Sequence, residues 1–243
     1  MNIIRRLRQA RKLLRLLPNP AFRRGLAHGI AATVEHEGYL ASIMPEFVAD
    51  IGANTGQFAL AIRARFPAAR IVSFEPLAGP ARKYAKLFAG DALTTLHNAA
   101  IGPLAETRAI HVSARADSSS LLPIGKLQSQ LFPGTEEAGV ENVRVAPLDA
   151  FVKAEDIPQG SLLKIDVQGF ELEALKGCRG LLSRFRWAYV ECSFLPLYEG
   201  QALADEVLSF LRAEGFAISG IYNLSEDGRG RAVQADFAFE RRA

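Results

Sequence analysis

Four short apolar runs along the chain each contain or precede an acidic side chain, and stretches with helical spacing follow them. The runs cover residues 47–51, 70–74, 161–165 and 187–190. Unbroken runs of this length are typical of parallel strands that are buried on both faces. Two later stretches, 216–222 and 233–239, flank a Glu-Asp-Gly-Arg-Gly turn and predict a closing antiparallel pair. The pattern predicts an α/β fold with a doubly wound, mostly parallel, seven-stranded Rossmann-like sheet and an antiparallel edge.

The beginning of the chain has a different pattern. Residues 1–17 place seven Ile and Leu among six Arg and Lys, which predicts a basic helix that ends at Pro18. A second helix is predicted from Ala21 to about Ser42. The predicted organisation is therefore a basic N-terminal helical extension over residues 1–45 and an α/β domain over residues 46–243.

The middle of the chain is less regular. Residues 93–101 are predicted to form a third strand and its exit, and residues 106–113 and 143–148 to form further strands. Gly, Pro and Glu are frequent in residues 123–139, which predicts a mobile excursion or lid.

The first strand leads into the turn Asp50-Ile51-Gly52-Ala53-Asn54-Thr55-Gly56, after which helical spacing begins. Gly52 and Gly56 let backbone amides approach a ligand closely, and the helix N-terminus beyond them favours electron-rich groups. The spacing fits neither the G-x-G-x-x-G of dinucleotide sites nor the phosphate loop. An acid before the first glycine favours a ligand with an amino-acid moiety and a ribose, such as S-adenosylmethionine. We predict that Asp50, Gly52, Asn54 and Gly56 bind this cofactor.

Three further acids follow later strands. Glu75 lies one βαβ step after Asp50, at the end of the second strand, where a carboxylate can accept hydrogen bonds from both ribose hydroxyls. Asp166 and Glu191 end two later strands. Because open parallel sheets bind ligands at the carboxyl ends of their strands, these acids are predicted to lie at one edge.

Composition excludes several classes of protein. At 243 residues and 49% hydrophobic, the chain can bury a full core. No apolar run reaches the 18 residues of a membrane span, and the basic start lacks the apolar segment of a signal peptide, so a cytoplasmic location is predicted. Cys178 and Cys192 are too few for a disulfide framework, and no zinc-ligand spacing occurs.

Charge is distributed unevenly. Eight of the 29 Lys and Arg residues lie in residues 1–24, where no acid occurs, so 21 bases face 26 acids in the remainder. A domain with a net negative charge does not favour contacts to the phosphates of nucleic acid, so no nucleic-acid partner is predicted. The basic helix of residues 1–17 has the composition of an interfacial helix, so peripheral membrane contact is one interpretation. A solvated surface helix or packing on the domain is the other.

The chain resembles the FkbM-type methyltransferases from about His36 onward. The resemblance implies the usual methyltransferase sheet and S-adenosylmethionine-dependent O-methylation, often of a hydroxyl on a sugar, glycan or polyketide. It also adds Asn98 to the predicted cofactor-binding residues. Gln168 stands where the family often has Glu. The signatures that carry the resemblance lie at residues 48–56, 74–76, 98–102, 163–171 and 235–239.

Methyl transfer to a hydroxyl requires alignment of the acceptor oxygen and removal of its proton. A side chain can act as the base, or a divalent cation such as magnesium can lower the pKa of the hydroxyl. Asp166 and Glu191 are predicted to serve as the catalytic pair in either way, although they can instead cap helices or pair with Lys164. His36 is a further base candidate, and a surface or capping role is also open to it.

Two other functions share parts of this pattern. A nicotinamide-dependent oxidoreductase has the same strand, turn and acid, but the missing third glycine argues against it. A non-catalytic, membrane-recruited binding module with a vestigial pocket is the second. The joint presence of Asp50, Gly52, Asn54, Gly56 and Glu75 disfavours that interpretation.

Overall fold

The computed structural model describes residues 17–242, so the predicted basic helix of residues 1–17 lies outside the described residues except for Leu17. The α-helices are Pro20–Ala27 (α1), Glu37–Leu40 (α2), Gln57–Arg65 (α3), Ala78–Leu87 (α4), Lys126–Leu131 (α5), Glu171–Cys178 (α6) and Ala204–Ala213 (α7). The β-strands are Phe47–Ile51 (β1), Arg70–Phe74 (β2), Thr94–His97 (β3), Ala100–Ile101 (β4), Glu106–Ser113 (β5), Glu137–Ala146 (β6), Ser161–Ile165 (β7), Trp187–Ser193 (β8), Phe216–Glu226 (β9) and Ala232–Arg241 (β10).

Seven strands form one sheet in the order β3-β2-β1-β7-β8-β10-β9. The five strands from β3 to β8 run parallel, and β10 is antiparallel to both of its neighbours. Every residue of β1 and β7 is buried, as expected for central strands with helices on both faces. The predicted doubly wound, mostly parallel sheet with an antiparallel edge is confirmed.

Side chains of β1 alternate between two hydrophobic cores. Phe47, Ala49 and Ile51 contribute to the core that also contains α6 and α7 residues, whereas Val48 contributes to the core beneath α3 and α4. By the same alternation Asp50 faces the second core, and it pairs in register with Lys164 of β7. A charged pair is thus built into an apolar face directly below the turn.

A second sheet of three strands, in the order β4-β6-β5, stands beside the first. The predicted third strand of residues 93–101 is β3, and its predicted exit contains β4, where the chain has changed sheets. Asn98 makes this break by donating Nδ2 hydrogens to the carbonyls of Glu75 and Pro76, both at 2.8 Å. The predicted excursion or lid of residues 123–139 contains α5 and the first residues of β6.

The predicted continuous helix from Ala21 to about Ser42 is wrong. Helix α1 ends at Ala27 because Gly29 takes a left-handed conformation with φ of 71°, and the Ile30 N–H then bonds the Gly25 carbonyl. A short 3-10 turn over Val34–His36 and α2 follow. Aromatic and aliphatic side chains of this segment pack into the second core. No helix within residues 17–242 is long and apolar enough to span a bilayer.

Candidate active site

The turn after β1 is held close to the strand end of β7. Gly52 has φ of 80°, and a Cβ at this position would overlap the backbone oxygen of Asp166. Gly56 has φ of 96°, and a Cβ there would lie 2.9 Å from ring atoms of Tyr84 and Phe88. Both glycines are therefore required by backbone conformation and by close packing at once.

Glu75 joins the ends of β1 and β2. Its Oε2 accepts the Asn54 N–H at 2.9 Å and its Oε1 accepts the Leu77 N–H at 2.8 Å. The residue is 6% exposed, and burial raises the pKa of its carboxyl group to about 7 although the two N–H donors lower it. Each carboxylate oxygen keeps a lone pair for a further donor.

Asp50 and Lys164 form a buried ion pair beneath the turn. Asp50 Oδ1 lies 3.2 Å from Lys164 Nζ, and the same ammonium group donates to the Gly52 carbonyl at 3.0 Å. Burial would lower the pKa of Lys164, but the carboxylates of Asp50 and Asp166 outweigh it and raise the pKa. Burial raises the pKa of the Asp50 carboxyl group, although the Lys164 ammonium group lowers it in part. Lys164 thereby fixes the turn, a role that the sequence pattern did not reveal.

One cavity is lined by predicted cofactor-binding residues and by predicted catalytic residues. Gly52, Asn54 and Glu75 line it together with His36 and Asp166. Asp50, Gly56, Asn98 and Glu191 do not contribute to its lining. The cavity also has an apolar end, which the sequence pattern does not predict. The second sheet contributes residues to it. This end is formed by Leu77, Ala100, Ile110, Leu121 and Phe170.

Gln168 connects the two later acids. Its Nε2 donates to Asp166 Oδ1 at 2.8 Å and to Glu191 Oε2 at 2.9 Å, and its Oε1 accepts the Tyr198 hydroxyl at 3.0 Å. The other oxygen of Glu191 accepts from Gln234 at 2.5 Å. Burial, with Asp166 next in effect, raises the pKa of Glu191 well above its ordinary value. Glu191 therefore lies behind Gln168, whereas the Asp166 side chain is 38% exposed at the cavity.

His36 lies in the turn before α2. Its Nδ1 is 3.1 Å from the Tyr189 hydroxyl and 3.5 Å from Asp236 Oδ2. Burial lowers the pKa of the imidazole, and the Asp236 carboxylate opposes that shift. The surface interpretation of this histidine is wrong, since its side chain is only 14% exposed. In the sequence, Asp236 stands out only as part of the closing signature of residues 235–239.

The described residues 17–242 do not form a metal-binding cluster. No group of three or more His, Cys, Asp or Glu side chains there is arranged to hold an ion. Asp166 and Glu191 are separated by the Gln168 amide, which donates to both. The magnesium alternative therefore gains no support from this part of the chain.

Comparison with known proteins identifies relatives. The family model described as the methyltransferase FkbM domain matches residues 50–218. Methyltransferase sdnD of Sordaria araneosa is 26% identical over 71% of this chain and 74% of its own length. Methyltransferase 1 of Beauveria bassiana is 22% identical over 71% of this chain and 73% of its own. The solved structure of Streptococcus pneumoniae Sp1610 in complex with S-adenosyl-L-methionine aligns with a TM-score of 0.47 at 14% identity, over 84% and 71% of the two chains.

Proposed function

This chain belongs to the FkbM methyltransferase family, and we propose that it methylates a hydroxyl group of a sugar, glycan or polyketide-like acceptor. The chain is an S-adenosylmethionine-dependent methyltransferase, and the oxygen acceptor is the proposed part. One observation carries it: Glu75 and the turn after β1 line the same cavity as His36 and Asp166. The predicted cofactor-binding turn and two polar side chains that can bind a hydroxyl therefore line the same cavity.

The residues present fit S-adenosylmethionine. Glu75 is a buried carboxylate at the cavity wall, with lone pairs left for the two ribose hydroxyls. Leu77, Ile110 and Phe170 belong to an apolar end of the cavity that suits a purine ring. When bound, this cofactor supplies a methyl group on a positively charged sulfur.

The chain itself supplies the base and the acceptor contacts. A sugar hydroxyl is a weak nucleophile at neutral pH, and proton removal by a placed base contributes about 10² to 10⁴ in rate. His36 is the base in this proposal, because burial lowers the pKa of its imidazole and keeps it neutral. Asp166 accepts a hydrogen bond from the acceptor and orients it. Glu191 acts through Gln168, which it holds from behind.

The acceptor side of the proposal is tested by variants and a screen. Radiolabelled S-adenosylmethionine is offered with methyl glycosides and lipid-linked sugars, and transfer of label is measured. With an acceptor in hand, His36→Gln and Asp166→Asn should lower turnover strongly while cofactor affinity survives, and Glu191→Gln should have a smaller effect. Full turnover in both His36→Gln and Asp166→Asn contradicts the assignment.

Titration calorimetry with S-adenosylmethionine and NADH tests the cofactor. Heat of binding is expected with the first and not with the second. The family match favours neither the nicotinamide oxidoreductase nor the non-catalytic module. The acceptor screen also tests the non-catalytic module, because a protein without activity transfers no label to any acceptor.

The proposal includes peripheral membrane contact through residues 1–17. Six basic and seven aliphatic side chains in this segment match an interfacial helix on an anionic lipid surface. Each base near such a surface contributes about 1 kcal/mol, so a few engaged bases suffice for reversible attachment. Such contact would bring the cavity near acceptors that are attached to lipids.

A further inference from the structure

The Lys164 ammonium group contacts both predicted cofactor-binding residues and a predicted catalytic residue. Its Nζ is 3.0 Å from the Gly52 carbonyl oxygen, 3.2 Å from Asp50 Oδ1 and 3.8 Å from Asp166 Oδ2. We propose that Lys164 is a positioning residue that fixes the Asp166 carboxylate relative to the turn after β1, so that Asp166 holds the acceptor hydroxyl beside the methyl donor. This inference rests on the proposed function for the role of Asp166, and its effect on the turn can be tested without an acceptor.

The pairing of β1 with β7 brings these groups together. Asp50 and Lys164 are opposite each other in the parallel register of the two strands. Beyond the strand ends, the Asp166 N–H donates to the Ile51 carbonyl at 3.1 Å, and the Asp166 backbone oxygen lies where a Cβ on Gly52 would be. The backbone therefore sets the positions of both segments, and the Lys164 side chain adds the contact to the Asp166 carboxylate.

The three oxygens suit an ammonium group. A lysine side chain carries three N–H donors and no acceptor, whereas a carbonyl oxygen and the oxygens of an ionised carboxylate can only accept. The Gly52 carbonyl accepts a hydrogen bond, and the carboxylates of Asp50 and Asp166 lie at ion-pair distance. Each of these contacts of Lys164 therefore joins a donor to an acceptor.

The Asp166 carboxylate has a neighbour at each of its oxygens. Gln168 Nε2 donates to Oδ1 at 2.8 Å, and Oδ2 faces Lys164 Nζ at 3.8 Å. Without such contacts, a side chain that is 38% exposed can occupy several rotamers. Each oxygen has two lone pairs, so both can still accept a hydrogen from an acceptor hydroxyl. Lys164 and Gln168 together select one orientation of the carboxylate at the cavity wall.

Lys164 stays charged although it is buried. Burial lowers the pKa of its ammonium group, but the carboxylates of Asp50 and then Asp166 raise it above its ordinary value. Asp50 is fully buried, and neither of its oxygens has a hydrogen-bond partner within residues 17–242, so Lys164 balances its charge. Because charges attract more strongly away from water, the same ammonium group also attracts Asp166 Oδ2 towards the turn.

Cofactor binding tests the effect on the turn. Lys164→Met alone would leave the buried Asp50 carboxylate without its cation, so the substitution is made in Asp50→Asn, and the double variant should resist denaturant better than Lys164→Met. Calorimetry should show S-adenosylmethionine bound about tenfold more weakly by the double variant than by Asp50→Asn, because the Gly52 carbonyl loses its donor. Lys83→Met, at an exposed position of α4, is the matched control and should bind as wild type does. Equal affinity of the double variant and Asp50→Asn overturns the effect on the turn.

Turnover at saturating cofactor, with an acceptor from the glycoside screen, tests the effect on Asp166. In Asp50→Asn, Lys164→Met should lower kcat about tenfold, but less than about threefold when Asp166→Asn is also present, because residues that act through each other are not additive. A purely structural role of Lys164 gives the same factor in both cases. Equal factors therefore overturn this inference alone, provided that Asp166→Asn itself lowers turnover. Full turnover in Asp166→Asn overturns the acceptor role proposed for Asp166 and this inference with it.

Discussion

Asn54 donates its backbone N–H to Glu75 Oε2 at 2.9 Å across the ends of β1 and β2. A single carboxylate thus bonds the turn that follows one strand and, through the Leu77 N–H, the loop that follows the other. Substitution of Glu75 should therefore change the shape of the turn as well as the proposed contact to a ribose.

We expect Glu75→Gln to weaken S-adenosylmethionine binding about tenfold to a hundredfold, since charge-assisted hydrogen bonds contribute about 1.5 to 3 kcal/mol. The amide NH₂ would also face the N–H of Asn54 or Leu77, donor against donor. Titration calorimetry measures the affinity, and exposed Glu155→Gln is the control. Equal affinity in the two variants contradicts the ribose assignment.

Cofactor affinity should depend on pH. Burial raises the pKa of Glu75 from 4.5 to about 7, so the folded protein binds more protons than the unfolded chain between these values. This group's contribution to the free energy of unfolding therefore decreases as pH rises through that window. Because the ionised carboxylate is the stronger hydrogen-bond acceptor, affinity should rise from about pH 6 to 8 with release of a proton.

Calorimetry in two buffers of different ionisation enthalpy measures that proton release. Glu171 shares the direction of the shift, also to about 7, so only the difference between wild type and Glu75→Gln isolates the effect. The variant should show a flat profile. A rise of equal size in both proteins assigns the pH dependence to another group.

We expect Gly52→Ala to destabilise the protein and to abolish cofactor binding. A φ of 80° alone costs a residue with a Cβ about 1 to 3 kcal/mol, and overlap with the Asp166 carbonyl adds to this. Chemical denaturation measures the change. Gly228→Ala is the matched control, because a Cβ there meets nothing within 4 Å and its φ is not left-handed. Similar stability of the two variants would show that the turn relaxes.

Removal of residues 1–17 should abolish sedimentation with anionic vesicles. Full-length protein is expected to sediment with phosphatidylserine vesicles at low salt and to be released at high salt, since salt screens charge attraction. Neutral vesicles are the control for apolar contact alone. If full-length and shortened protein both stay in solution at low salt, the segment has another role.

The main sheet and the cofactor turn could be predicted because their signals are local. Apolar runs such as residues 47–51 and 161–165 are buried on both faces, and the glycine spacing reports the backbone conformation directly. Glu75 was found by its distance from Asp50 along one βαβ step. These features depend on residues that are close to one another in the sequence, so one sequence is enough to recognise them.

The second sheet and the His36 network could not be predicted because their signals are tertiary. The first six residues of β6 are exposed, so no alternation marks the strand. Lys164 looks like an ordinary strand residue until Asp50 and the Gly52 carbonyl are placed beside it. Likewise, nothing local connects His36 with Asp236.

The separation of these two residues has a consequence for folding. His36 follows α1, whereas its partner Asp236 lies in β10, so this pair forms only after the antiparallel edge has joined the sheet. Contacts between distant parts of a chain form late, because loop closure must precede them. A chain clipped before residue 46 would lose the proposed base together with core side chains such as Tyr39 and Leu40. Methylation would therefore report that the segment before β1 and the antiparallel edge have both joined the domain.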